Sequence, residues 1–131
     1  MRNIVILITF LSFQSMADVN DEDCFNKQYL PEINNCFNNK LSINRVNLEK
    51  EYKKLETYLS NSQDHKKYLE DIIKNKQEWE KVTNDFCKLE SYFVEEKTIT
   101  HKIQFNQCMV RKIKHQILEV TNLYEIISSM M

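Results

Sequence analysis

The chain has 131 residues, with 18 Lys and Arg against 19 Asp and Glu, one proline and no glycine. The absence of glycine argues against hairpin-rich β folds, because their tight turns need residues with positive φ. The near-neutral charge and the scattered basic residues argue against a nucleic-acid-binding protein. Helix-favouring residues dominate, so the composition predicts one all-α domain.

The N-terminus has the pattern of a secretory signal peptide. Arg2 precedes an apolar run over residues 4–13, and small residues follow at Ser15 and Ala17. The run is too short for a stable transmembrane helix. We therefore predict a signal peptide over residues 1–17 and a mature domain over residues 18–131, periplasmic or secreted. The alternative is a membrane anchor that stays attached.

Removal of residues 1–17 takes away one basic residue and no acid. The mature domain then has 17 basic and 19 acidic residues, a net charge of −2. No later apolar stretch approaches transmembrane length, so we expect no membrane span in the mature domain.

The first half of the mature domain predicts a short helix and then a long one. The short element covers about residues 25–30 and leads to Pro31, which suits the first turn of a helix. Apolar residues then recur at helical intervals and form a single stripe, interrupted once by Arg45. The stripe contains Phe37, Leu41, Leu48, Tyr52, Leu55 and Leu59.

The second half predicts two further helices. The polar residues 60–64 break the pattern and can cap the next helix. A second stripe contains Leu69, Ile72, Trp79 and Phe86. Residues 91–105 lose the pattern, and their β-branched and aromatic content predicts a long connection. A third stripe follows at Val110, Ile113, Ile117, Val120, Tyr124 and Ile127.

Three long amphipathic helices predict an antiparallel three-helix bundle with a short N-terminal helix. This path places Cys24, Cys36, Cys87 and Cys108 at one end of the bundle. An even number of cysteines in an exported domain predicts two disulfides, and four cysteines allow three pairings. We favour Cys24–Cys36 and Cys87–Cys108, because each closes a local loop. Each disulfide should stabilise the fold by roughly 3 kcal/mol.

Taken together, these residues resemble the lysozyme inhibitor LprI-like family of exported bacterial proteins. In that family a second cysteine follows the first by about a dozen residues, and a tryptophan lies eight residues before the third cysteine. A fourth cysteine opens the last helix. The matching positions span about residues 23–124, and they are Cys24, Cys36, Leu48, Tyr52, Leu55, Leu59, Trp79, Cys87 and Cys108. The resemblance implies a helical domain that inhibits lysozyme.

The chain departs from the family pattern at several polar positions. Thr83 and Asn84 stand where the family usually has Arg-Asp. The family's glycine-rich connection is replaced by the glycine-free residues 95–104. Ile113 and Gln116 replace the usual Thr and Arg of the last helix.

The sequence offers little for catalysis or metal binding. His65, His101 and His115 lie far apart, and none has metal-ligand spacing with another histidine or an acid. The cysteines do not form the C-x-x-C pairs of a zinc site. Catalytic motifs such as G-x-S-x-G and H-E-x-x-H are absent from the sequence. We therefore predict a non-enzymatic protein without a metal or cofactor.

Trp79 has two interpretations. It lies at stripe spacing, which favours the core over an exposed ligand platform. The predicted core residues are Leu48, Tyr52, Leu55, Trp79, Ile113 and Ile117.

Residues 91–105 are the predicted binding segment. A disulfide at its base would preorganise it and lower the entropy cost of binding. Its aromatic and acidic side chains would suit a cationic partner with a carboxylate-lined cleft, as lysozymes present. The candidate residues are Tyr92, Phe93, Glu95, Glu96 and His101. The alternative is an irregular cap packed on the bundle end.

The leading hypothesis is an exported binding protein, a lysozyme inhibitor-like protein that occludes its partner. The alternative is a structural or interaction module that docks on another envelope protein through a helix face. The sequence leaves the oligomeric state open.

Overall fold

The computed structural model describes residues 22–130, which form four α-helices and no strand. A single 3₁₀ turn, Gln63–His65, joins the second helix to the third. The all-α prediction is confirmed, whereas the predicted signal peptide lies outside the described residues. The helices are α1 (Glu22–Phe25), α2 (Leu30–Ser60), α3 (Lys66–Glu90) and α4 (Ile99–Met130).

The short N-terminal helix lies earlier than the sequence pattern indicates. We predicted it over residues 25–30, but α1 ends at Phe25 and α2 already begins at Leu30. Tyr29 has an extended backbone, and Pro31 occupies the first turn of α2. Proline is accommodated there because the first helical N–H groups have no intrahelical acceptor. The residues next to Pro31 therefore belong to the start of the long helix.

The three long helices run up, down and up, so α2 and α4 are parallel. Contacts between them recur in the same order along both helices. At one end Asn106 Nδ2 donates to Asn38 Oδ1 at 2.6 Å. At the other end the rings of Tyr58 and Tyr124 meet edge to face, 5.7 Å apart. The helix α3 runs antiparallel to both.

The main core lies between α2 and α4, with α3 covering one side. Of the predicted core residues, Leu48, Tyr52, Leu55 and Ile113 are buried. Trp79 and Ile117 are partly buried and pack against the same cluster. The apolar stripes of α2 and α4 thus face each other along the bundle.

One predicted stripe residue of α3 is not in the core. Phe86 is 42% exposed, whereas Thr83 and Cys87 are buried beside Ile72. The steps from Ile72 to Trp79 and to Phe86 are seven residues each. A straight helix drifts about 20° per seven residues, so two such steps rotate Phe86 away from the core face. The eleven-residue step to Thr83 stays closer to that face.

Both predicted disulfides are present. Cys24 is bonded to Cys36, and Cys87 to Cys108. Cys24 packs in a second small core with Phe37, Ile103 and Val110. Cys87 and Cys108 belong to the main core, and they fix the end of α3 to the first part of α4. The two links therefore lie at the same end of the bundle, as predicted.

Candidate partner-binding site

The helix α3 ends in a buried serine that closes its last turn. The Ser91 side chain is fully buried. Its backbone N–H donates to the carbonyl oxygen of Cys87 at 3.2 Å, and its hydroxyl donates to the same oxygen at 3.0 Å. The hydroxyl also donates to the carbonyl oxygen of Lys88 at 3.2 Å, so one of the last helical carbonyls, which lack intrahelical donors, is not left unpaired.

Glu90 anchors the end of α3 to α4 through two different groups. Gln104 Nε2 donates to the Glu90 backbone carbonyl at 2.9 Å. The Glu90 carboxylate accepts a hydrogen bond from the guanidinium of Arg111. Together with the Cys87–Cys108 disulfide, these contacts hold the chain on both sides of the connection.

The connection is shorter than predicted. We expected irregular chain over residues 91–105, but α4 begins at Ile99, so His101 and Phe105 are helical. The physical reason is Thr98, whose Oγ1 accepts the backbone N–H of His101 at 3.2 Å. This is the bond of a helix N-cap. The same hydroxyl donates to the Glu95 carbonyl oxygen at 2.7 Å. We call residues 91–98 the connecting segment.

A single residue with positive φ turns the connecting segment towards α4. Lys97 has φ of 66°, the one positive value among the described residues. Left-handed backbone suits glycine best, because a side chain crowds the following carbonyl. In this glycine-free chain a lysine adopts that conformation.

Two aromatic side chains stand out from the connecting segment. Tyr92 is 73% exposed and Phe93 is 95% exposed. Their rings meet edge to face with centroids 5.3 Å apart. Glu95 and Glu96 are also exposed, whereas His101 is half-buried on the first turn of α4. Four of the five candidate residues therefore lie on one short exposed segment, and His101 lies beside it on a helix.

The region has features of both interpretations given above. An irregular cap packed on the bundle end would bury its apolar side chains. Ser91 is buried and Val94 is half-buried, as such a cap requires. Tyr92 and Phe93 instead project into solvent, which is the arrangement of aromatic anchors at protein interfaces.

Within residues 22–130, no three His, Cys, Asp or Glu side chains are placed to bind a metal ion. In the same part of the chain, no helix has an apolar stretch long enough to cross a bilayer. The connecting segment exposes two aromatic rings and two carboxylates.

Four residues that hold the connecting segment in place were not predicted from the sequence. These are Ser91, Thr98, Gln104 and Arg111. Thr98 carried a recognisable signal, since threonine is a preferred N-cap residue. The position three residues after Thr98 is His101, so the Glu or Gln that completes a capping box is missing. Gln104 and Arg111 carried no local signal, since their partner Glu90 lies on another helix.

A protein-family model described as "Lysozyme inhibitor LprI" matches residues 21–120. The match includes α1, α2, α3, the connecting segment and α4 as far as Val120. Neither the curated proteins nor the solved structures contain a significant match.

Proposed function

The chain belongs to the lysozyme inhibitor LprI family, and we propose that it is an exported protein that binds a partner protein and blocks it by occlusion. Lysozyme is the candidate partner, from the family. The proposal assigns no reaction to the chain itself.

The observation that carries the proposal is the exposure of Tyr92 and Phe93 on a segment fixed at its base. Large exposed aromatic side chains are unfavourable in water and are enriched at protein interfaces. The disulfide, the Thr98 cap and the Glu90 contacts restrict the segment before binding. A preordered segment loses less conformational entropy when it binds, so its contacts contribute more to affinity.

The charges of the segment favour a cationic partner. Glu95 and Glu96 follow the two rings and are exposed. Carboxylates beside aromatic anchors can pair with basic residues at the rim of an interface, where they raise the association rate and the specificity. Lysozyme, the partner that the family implies, is a cationic protein with a carboxylate-lined cleft.

Two formed disulfides support export. Structural disulfides persist in oxidising compartments and are rare in the cytosol. The predicted signal peptide over residues 1–17 agrees with this, and so we place the protein in the periplasm or outside the cell.

The first test is lysozyme activity on cell walls in the presence of the disulfide-bonded protein. We expect inhibition that increases with added protein. Replacing both Tyr92 and Phe93 by alanine should raise the half-inhibitory concentration at least about tenfold, since truncating an interface hot spot costs more than about 1.4 kcal/mol. Tyr29→Ala is the matched control, because Tyr29 is 64% exposed and lies outside the connecting segment.

Two results would count against the proposal. Full lysozyme activity at a large molar excess would reject lysozyme as the partner. Equal inhibition by the Tyr92 and Phe93 double variant would move the binding site elsewhere. Affinity capture from an envelope extract tests the alternative function, a module that docks on another envelope protein through a helix face. Such a module would still capture a non-lysozyme partner after Tyr92 and Phe93 are both replaced by alanine.

A further inference from the structure

The helix α3 leaves an apolar face exposed. It buries three of its 25 residues, whereas α2 buries five and α4 buries seven. Val82, Phe86 and Leu89 are 67%, 42% and 68% exposed. Their spacings of four and three residues place them on one side of the helix. We call these three residues the α3 stripe.

The α3 stripe lies along the seam between α3 and α4. Lys112 of α4 holds its Nζ 4.1 Å from the centroid of the Phe86 ring. This cation–π contact shows which side of α3 the stripe occupies. It also places a positive charge beside the stripe on the α4 side of the seam.

Further along the same seam is a cleft of about 470 Å³, which we call the α3–α4 cleft. Its apolar residues are Ile72, Val120 and Leu123. Its residues with polar groups include Tyr68, Asp71 and Glu119. None of the described contacts pairs the Asp71 carboxylate with a basic group, and Glu119 pairs only with exposed His115 on its own helix.

The stripe and the cleft lie on the same face of the molecule. Asp71 and Val82 are eleven residues apart, which is close to three full turns and leaves them about 20° apart around α3. Lys112 and Glu119 are seven residues apart on α4 and are similarly aligned. The seam therefore has an apolar half with a lysine and a concave half with two carboxylates.

We propose that a second copy of the chain docks on this seam in antiparallel orientation about a twofold axis near Trp79. Phe86 and Ile72 lie seven residues on either side of Trp79, so the α3 stripe of each copy faces the α3–α4 cleft of the other. Phe86 and Leu89 enter the apolar part of that cleft. Lys112 faces Asp71 and Glu119 of the second copy.

Charge complementarity selects this orientation. A parallel arrangement would place the two acidic halves against each other and the two lysines together, which is unfavourable. The antiparallel arrangement brings each lysine to two carboxylates, and the twofold axis forms the same contact twice. Tyr92 and Phe93 belong to the connecting segment, outside the stripe and the cleft, so the dimer does not depend on the proposed function.

The test is sedimentation velocity of the disulfide-bonded protein over a dilution series from about 1 to 200 µM, a range that resolves micromolar dissociation constants. We expect a reversible monomer–dimer equilibrium. Phe86→Glu should raise the dissociation constant at least tenfold. Leu118→Glu is the matched control, because Leu118 is 69% exposed on a different face of α4. It should leave the dissociation constant within about twofold of the unmodified protein.

A charge exchange tests the orientation separately. Lys112→Glu and Glu119→Lys should each weaken the dimer, and the two changes together should weaken it less than either alone, because the reversed charges at 112 and 119 attract across the twofold axis while Asp71 still faces a carboxylate. A monomer at every concentration would overturn the proposal. A dimer that Phe86→Glu leaves intact, or that the double exchange weakens further than either single change, would overturn it as well. Circular dichroism of each variant establishes that the helices remain formed.

Discussion

Replacing Tyr52 by phenylalanine removes one buried hydroxyl group from the middle of the bundle and changes no other group. The ring is 3% exposed, and its hydroxyl accepts a hydrogen bond from Gln116 Nε2 at 2.8 Å. A hydrogen bond of this kind contributes a net 0.5–1.5 kcal/mol. Gln116 is half-buried at the α3–α4 cleft, so water can hydrate its freed amide. We therefore expect the free energy of unfolding at pH 7 to fall by about 1 kcal/mol.

The same substitution changes how stability depends on pH. The pKa of Tyr52 is raised above its ordinary value of 10.0, first by burial and further by the charges of Glu80 and Glu49, while the Gln116 hydrogen bond and the Lys76 charge act to lower it. The unfolded chain therefore loses the Tyr52 proton first as the pH rises. The contribution of Tyr52 is fully present below pH 10 and is lost as the pH rises through the folded-state pKa, at up to about 1.4 kcal/mol per pH unit.

The assay is urea unfolding followed by far-ultraviolet circular dichroism, repeated from pH 7 to 11. Subtracting the unfolding free energy of Tyr52→Phe from that of the unmodified protein cancels the contribution of the lysines, because they titrate in both proteins. We expect the difference to be constant well below pH 10 and to shrink as the pH rises through 10, because the unfolded chain then loses the Tyr52 proton first. A difference that stays constant to pH 11 would refute the assignment of a raised pKa to this residue.

Three further predictions concern unfolding free energies, measured by the same denaturation at neutral pH. Thr98→Ala should lower the value by about 1 kcal/mol by removing the α4 cap, while Lys102→Ala, on an exposed helical position, should not lower it. Lys97→Gly should raise it by up to about 1 kcal/mol by relieving the left-handed backbone, whereas Lys102→Gly should lower it by about 0.5–1 kcal/mol; a lower unfolding free energy for Lys97→Gly would contradict the role given to Lys97. Ile113→Ala should cost about 2–5 kcal/mol because the residue is 2% exposed, and Leu118→Ala should change stability by less than about 0.5 kcal/mol.

The sequence predicts α4 well because its apolar residues alternate in steps of three and four, and α2 because its stripe keeps such steps except for one seven-residue gap at Arg45. That spacing follows the true period of a helix, so the stripe stays on one face over many turns. In α3 the stripe takes two steps of seven from Ile72 through Trp79 to Phe86, which drift around the axis, and this is why Phe86, predicted on the stripe, lies off the core face. The start of α4 was missed because β-branched and aromatic residues obscure its helical character, and the Thr98 cap lacks its usual acidic partner.

The candidate site was predictable in composition but not in geometry. The sequence shows that Tyr92, Phe93, Glu95 and Glu96 follow the third cysteine. Whether such rings project into solvent depends on contacts between α3 and α4 that are distant along the chain, such as Gln104 with Glu90. The same holds for the seam, because the alignment of Lys112 with Phe86 requires the register of two helices.

Neither disulfide links the first half of the bundle to the second. Cys24–Cys36 lies wholly before the turn at Gln63–His65, and Cys87–Cys108 lies wholly after it. Only the peptide backbone at that turn connects the two halves. A single proteolytic cut in that turn should give two fragments that stay associated in the native fold through noncovalent packing alone. In denaturant the pair should separate into two fragments even without a reducing agent, so the protein can be split and reassembled from its pieces.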